Sequence, residues 1–119
     1  PPHFKKGSII QLANNKLKRV EDLETADFIQ SADISPDLKI DSSTVIRIDE
    51  HVDRGSAILG FSVGEHKVKV TVEATLEHPF FVFHQGWTSC SPLASSQRYG
   101  LECHKLAIND KCVSLTHKD

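Results

Sequence analysis

The chain has 119 residues, of which 39% are hydrophobic and 25% charged, a size and composition typical of one globular domain. Its formal net charge of −2 argues against a strong electrostatic grip on nucleic acid, because phosphate neutralisation usually needs a basic face. No apolar run approaches the roughly 20 residues that cross a bilayer, and the start has no signal-peptide pattern.

The chain begins at Pro-Pro-His-Phe without a methionine, so we expect residues 1–119 to be a single domain excerpted from a longer protein. Its three cysteines form no even set of disulfides. Free thiols in a reducing compartment fit best, which favours the nucleus or the cytosol over secretion.

The first elements predict a hairpin followed by a helical turn. Residues 7–12 and 16–20 indicate two short strands joined by a turn at Asn14-Asn15, since asparagine tolerates the left-handed conformation. In the next segment, Val20, Leu23 and Ala26 have helical spacing with acidic residues near the start, so a short helix is expected there.

The middle of the chain predicts extended structure. Residues 38–51 indicate one strand bent in the middle, or two strands. Residues 56–63 and 66–76 predict a hairpin, because apolar and polar residues alternate in both. One face of the second strand carries Val68, Val70, Val72, Ala74 and Leu76, and we expect that face to be dry and the opposite face wet.

The segment after this hairpin holds Phe80, Phe81 and Phe83 in a short apolar run that indicates a strand buried on both faces. Trp87 follows Gly86 in a turn, where a half-exposed ring can contact a partner. A polar loop and a final strand at 111–116 complete the chain. Many short strands with little helix predict a mainly β protein with short helices, arranged as a small barrel.

Metal and nucleophilic sites are both disfavoured by the spacing of their candidate residues. Twelve residues separate Cys90 from Cys103 and no Cys-x-x-Cys knuckle exists, so zinc is not expected. Cys103 and His104 are adjacent and would point to opposite faces of a strand. We therefore expect no metal, no cofactor and no cysteine–histidine catalytic pair.

The opening "HFKKGSIIQLANNKLKRVEDLETADF" and the later "HPF" also resemble the layout of self-splicing Hint domains. That family begins with a nucleophilic cysteine, where this chain has His3. With no thiol or hydroxyl at that position the acyl shift cannot start, which argues against autoprocessing.

A second resemblance extends from Phe4 to Thr116. The segments "FKKGSIIQLAN", "LKRVEDL", "DFIQSA", "DLKIDSSTV", "VGEH", "PFFVF", "QGWTSC" and "CVSLT" are similar to the AXH domains of ataxin-1 and its ataxin-1-like paralogue. The resemblance implies an OB-like barrel fold, no enzymatic activity, and self-association to a dimer or larger assembly. The nucleus is the expected location, with the cytoplasm as an alternative.

The same resemblance implies an apolar groove that docks peptides of transcriptional regulators, such as the Capicua repressor and zinc-finger factors of the Senseless type. Matching the family's motifs residue by residue gives the expected peptide-binding surface: Ile9, Val20, Ser31, Trp87 and Leu115.

The competing hypothesis is a primarily RNA-binding OB-like domain. The resemblance implies weak RNA binding, and Lys5, Lys6, Lys67 and Lys69 are the candidate contacts. A solvated strand face is the simpler reading of these lysines in an acidic chain. RNA binding through them should be weak and sensitive to salt.

Overall fold

The computed structural model describes residues 2–118 and shows short strands with two helices. In chain order the elements are β1 (Ile9–Gln11), β2 (Leu17–Arg19), α1 (Thr25–Ile34), β3 (Leu38–His51), β4 (Ser56–Val63), β5 (Val68–Thr75), β6 (Phe80–Val82), β7 (Gly86–Ser89), α2 (Pro92–Tyr99), β8 (His104–Lys105) and β9 (Lys111–His117). Short 3-10 turns occupy Pro2–Phe4, Val20–Asp22 and Val52–Arg54.

The strands form two sheets. The expected first hairpin is present as the pair β1–β2, and the other seven strands form one sheet in the order β5-β4-β3-β9-β6-β7-β8. Residues 38–51 form one bent strand, which was the first of the two structures expected for this segment. Its pairing with β4 shifts register between Val45 and Arg47, where an extra residue bends the strand.

The fold class is confirmed as mainly β with short helices, but the OB-like barrel is not. Within residues 2–118 no pairing joins β5 to β8, so the seven-stranded sheet stays open at both ends. The edge strand β8 has only two residues, and a strand that short offers little backbone for closing a sheet.

Apolar side chains collect in two clusters. The main core lies on the large sheet and includes Val45, Leu59, Phe61, Val82 and Leu106. A smaller cluster of Val20, Tyr99 and Leu101 fixes the first hairpin and α2 to the rest of the chain, with Phe4, Ile10, Leu23, Trp87 and Cys103 packed around it. This smaller cluster lies beneath the site described below and supports it.

The expected dry face of β5 is wrong for most of the strand. Val68, Val70 and Val72 are 58%, 40% and 38% exposed. The register places Val72 opposite the fully buried Leu59, so these valines do continue the core face of the sheet. They are exposed because β5 is an edge strand that extends beyond the cover of the main core.

Candidate functional site

Leu23 lies where three surface cavities meet. The first, here called the inner groove, is a cavity of about 370 Å³ between the β1–β2 hairpin, α1 and β9. The second, the outer cleft, has a volume of about 850 Å³ and lies between the Val20–Asp22 turn, β7 and α2. The third joins Leu23 to Phe81 and Gly86. We call the inner groove and the outer cleft together the Leu23 trough.

The inner groove has an apolar wall drawn from four elements and the segments beside them. Its apolar side chains are those of Ile10, Leu12, Leu23, Phe28, Leu38 and Leu115. Polar groups from Gln11, Asn15, Asp27 and Ser31 interrupt this wall. An apolar surface with a few fixed polar groups is the usual composition of a site that binds a peptide or small ligand.

Asp27 fixes the hairpin against α1 and so sets the geometry of this groove. Its Oδ2 accepts a hydrogen bond from Lys18 Nζ at 2.9 Å and another from the Glu24 amide at 2.8 Å. The hydrogen bond to Asp27 raises the pKa of Lys18 above its ordinary value. The buried carboxylate therefore stabilises both the first turn of α1 and its contact with β2.

Glu21 makes a second link, at the rim of the outer cleft. Its Oε1 accepts a hydrogen bond from the Gly7 amide at 2.8 Å, and this bond lowers the pKa of the Glu21 carboxyl. The carboxylate is therefore charged at neutral pH. It holds the start of β1 beside the Val20–Asp22 turn.

Trp87 is half-buried and forms part of the outer cleft. Its ring packs edge-on against Phe81 and Phe4, with centroid distances of 5.2 and 5.9 Å. The indole Nε1–H donates to the Val20 carbonyl oxygen at 2.9 Å. That oxygen also accepts a longer bond from the Leu23 amide, at 3.4 Å, so Trp87 and Leu23 share one acceptor.

The structure brings together three of the five residues predicted for peptide binding. Ser31 and Leu115 both line the inner groove, and Trp87 lines the outer cleft that Leu23 joins to it. Their role in binding stays a prediction.

The structure places the other two predicted contacts differently. Val20 is 1% exposed and packed beneath the trough, so its side chain supports the site but is not at its surface. Ile9 is 57% exposed and does not line the inner groove, whereas its neighbour Ile10 does. The part of Ile9 in binding stays a prediction.

The four candidate lysines are exposed but lie in two separate pairs. The Lys6 amide donates to the Tyr99 carbonyl, and Tyr99 lines a cavity with the Thr75 end of β5. Lys67 and Lys69 lie at the other end of that strand. Thr75 lies six residue steps along the strand from Lys69, which is roughly 20 Å at ~3.3 Å per residue. RNA contact through them stays a prediction.

The described residues offer little for catalysis. Between residues 2 and 118, no three His, Cys, Asp or Glu side chains come together as a metal site would require. The three cysteines are free, and burial raises the pKa of each thiol, that of Cys112 to about 12. A neutral buried thiol is a poor nucleophile. Of the helices in this part of the chain, none is long and apolar enough to span a membrane.

Sequence reasoning missed Leu23, Phe28 and Ile10 as site residues. Leu23 was recognised only as one position of a helical pattern, and that pattern cannot distinguish a residue facing the core from one facing a groove. No sequence signal separates Ile10 from Ile9, since both are isoleucines, and only the structure shows Ile9 exposed and Ile10 half-buried.

Comparison with known proteins gives concordant matches. A family model described as "Ataxin-1 and HBP1 module (AXH)" matches residues 4–117. The whole chain is 61% identical to ataxin-1 of Mus musculus over 119 residues, which are 15% of that protein. It is 54% identical to the ataxin-1-like protein of Homo sapiens over 116 residues, 98% of this chain and 17% of that protein.

A solved structure of another protein is similar in fold. The crystal structure of human HMG box-containing protein 1, HBP1, matches with a TM-score of 0.50 and 23% identity, over 82% of this chain and 75% of that chain. At that identity the likeness shows the fold alone. The chain spans about a sixth of the length of the curated ataxin-1 and ataxin-1-like relatives it matches.

Proposed function

The chain belongs to the AXH family of ataxin-1 and HBP1, a family of non-enzymatic regulator proteins, and we propose that it docks peptides of other transcriptional regulators in the Leu23 trough. The membership supports a role as a module of a transcription regulator. The docking is our inference, and the observation that carries it is the open inner groove with its apolar wall.

The groove favours a peptide with large apolar side chains. Leu115 and Phe28 offer apolar surface in a concave site, and burying one leucine-sized anchor there contributes about 1.5–3 kcal/mol. The exposed Gln11 and Asn15 supply polar atoms that can fix the peptide's orientation. The outer cleft adds Trp87 and Leu93, which is 70% exposed, as a second place for an apolar side chain.

The charges around the trough are mixed, so affinity should depend on apolar contact more than on net charge. Lys6, Glu21 and Glu102 all border the outer cleft. A Capicua-type repressor peptide is the proposed ligand, with a Senseless-type zinc-finger factor as a further partner, in the nucleus. Mutual docking of two copies through the same trough would account for self-association, and a ligand peptide would then compete with it.

Weak RNA binding is a subordinate part of the proposal. All four candidate lysines are exposed, which permits contact with phosphate. Their division into two distant pairs favours low affinity, because few phosphates can be neutralised at once.

The test is the substitution Leu115→Lys, which places a charge in the inner groove. Calorimetric titration with a Capicua-type peptide should show affinity reduced by about 10- to 100-fold, the value of one leucine anchor. The matched control is Ile108→Lys, since Ile108 is 49% exposed and does not line the trough. Equal affinity of the two variants for the peptide would refute docking in this groove.

A further inference from the structure

The sequence contains two Ser-Pro pairs, Ser35-Pro36 and Ser91-Pro92, and the structure places them in different surroundings. Proline-directed protein kinases accept proline directly after the target serine, because proline has no N–H that would be left without a partner. The proline also biases the serine before it toward extended backbone, the form in which a kinase binds its substrate. The local structure therefore decides which of the two serines is a substrate.

Ser35 meets these requirements in the loop that joins α1 to β3. It is half-buried, with a φ of −83° and a ψ of 122°, which is extended backbone. Pro36 and Asp37 after it are exposed, and so are Asp33 and Ile34 in the last turn of α1. The Ser35 hydroxyl oxygen accepts a long hydrogen bond from the Asp37 amide, at 3.4 Å. Exposed loops and helix ends open at low cost, so a kinase can reach this serine.

Ser91, in contrast, is held in place by the start of α2. Its hydroxyl oxygen caps the helix by accepting a hydrogen bond from the Ala94 amide at 3.3 Å, and its own amide donates to the Leu76 carbonyl at 2.8 Å. Pro92 is already the first residue of the helix, and Ser95 in the same turn is fully buried. The residues after Ser91 therefore cannot become extended unless α2 unfolds.

We propose that Ser35 is a phosphorylation site for a proline-directed protein kinase, and that the phosphate loosens the end of α1 beside the inner groove. In the reaction the Ser35 Oγ attacks the γ-phosphorus of ATP. A new O–P bond forms, the bond between that phosphorus and the ADP oxygen breaks, and the hydroxyl proton passes to a base of the kinase. The products are phosphoserine and ADP.

The position of Ser35 connects this phosphate to the inner groove. The Ser35 amide donates to the Ser31 carbonyl at 3.1 Å, and this bond closes the last turn of α1. Ser31 lines the inner groove, and so does Leu38, the first residue of β3. Because Ser35 lies between these two wall residues in the chain, its backbone fixes how α1 approaches β3.

The charges around Ser35 draw a phosphate away from α1. The carbonyl end of a helix carries a partial negative charge, and phosphoserine adds a charge of about −1.5 to −2 at neutral pH. Asp33 in the last helical turn adds to this repulsion. On the opposite side of the loop, Lys39 follows Asp37 on β3, and the Lys118 amide donates to the Asp37 carbonyl at 2.7 Å. Repulsion by the helix and attraction by these lysines both weaken the hydrogen bond that closes α1.

The site is tested by incubating the chain with ATP and a recombinant mitogen-activated or cyclin-dependent protein kinase, each in turn, followed by intact-mass measurement. One phosphate should be added to the wild-type chain and to Ser91→Ala, and none to Ser35→Ala. The two variants are matched, since each removes one serine hydroxyl that precedes a proline. A wild-type chain that neither kinase phosphorylates, or a phosphate that persists in Ser35→Ala, would overturn the assignment.

Two further measurements test the effect of the phosphate, of which only the second rests on the proposed docking function. After phosphorylation, the Ser35 amide should exchange with solvent about fivefold faster by NMR, and calorimetry should show affinity for a Capicua-type peptide reduced by about fivefold. An unchanged exchange rate would refute the loosening of α1. Faster exchange with unchanged affinity would refute its link to the groove. A peptide that does not bind the unmodified chain would refute the docking function, while the exchange rate would still decide whether the phosphate loosens α1.

Discussion

Replacing Trp87 by phenylalanine tests the bond that joins the two parts of the trough. The change removes the indole Nε1–H that donates to the Val20 carbonyl at 2.9 Å and keeps an aromatic ring against Phe81. This variant separates the contribution of the hydrogen bond to stability from that of aromatic packing. A change to alanine would not, because it would also empty the space between Phe4 and Phe81.

The expected loss of stability is moderate. A net protein hydrogen bond contributes about 0.5–1.5 kcal/mol, and the Val20 oxygen keeps its longer bond from the Leu23 amide, so about 1 kcal/mol is assigned to this bond. The smaller ring leaves a gap that costs about 1 kcal/mol more. A total of about 2 kcal/mol corresponds to a decrease in Tm of about 8 °C for a domain of this size.

The assay is urea unfolding followed by far-ultraviolet circular dichroism, because Trp87 is the only tryptophan and its fluorescence is lost in the variant. In the wild-type protein the indole Nε1 proton should exchange slowly with solvent. A variant within about 0.5 kcal/mol of wild type, together with fast exchange of that proton, would refute the assigned bond.

Two further predictions concern stability. Asp27→Ala should lower the free energy of unfolding by about 2 kcal/mol, and Asp27→Asn by about 1 kcal/mol. The loss is smaller for asparagine because it keeps an acceptor for the Glu24 amide, although it loses the charge that binds Lys18. Equal losses of the two variants in urea unfolding would contradict this assignment. Burial raises the pKa of Cys112 from 9.0 to about 12, so between these values the unfolded chain releases the proton first and stability falls as pH rises, by about 2 kcal/mol at pH 10.5. Between pH 8 and 10.5 the free energy of unfolding of Cys112→Ala should fall by this amount less than that of the wild-type protein. Parallel pH dependences for the two proteins would contradict burial of the Cys112 thiol as the cause.

The local elements were predictable because their signals lie within a few residues. The asparagine turn before β2 and the helical spacing before α1 both describe short-range structure, and both elements are present. The alternation in β5 predicted the strand correctly. It could not predict the exposure of its valines, because alternation shows which residues share a face and does not show what covers that face.

The site was less predictable because it depends on contacts between distant segments. The inner groove joins the β1–β2 hairpin, α1, β3 and β9, so its wall unites Ile10 with Leu115, more than a hundred residues apart in the chain. Motif matching identified three residues that the structure places along the trough. It could not separate surface residues from supporting ones, since both kinds fit a family pattern equally well.

Val20 shows how a residue can matter to the trough without being in contact with a ligand. Its side chain is sealed against Tyr99 and Leu101, while its carbonyl oxygen receives hydrogen bonds from Trp87 and Leu23, one on each side of the junction. A charged side chain at this position would be buried without a partner and would disrupt the small core. Loss of peptide binding after such a change would therefore report the collapse of the trough's support. Contact with the peptide is better tested at a residue that lines the groove, such as the half-buried Leu115.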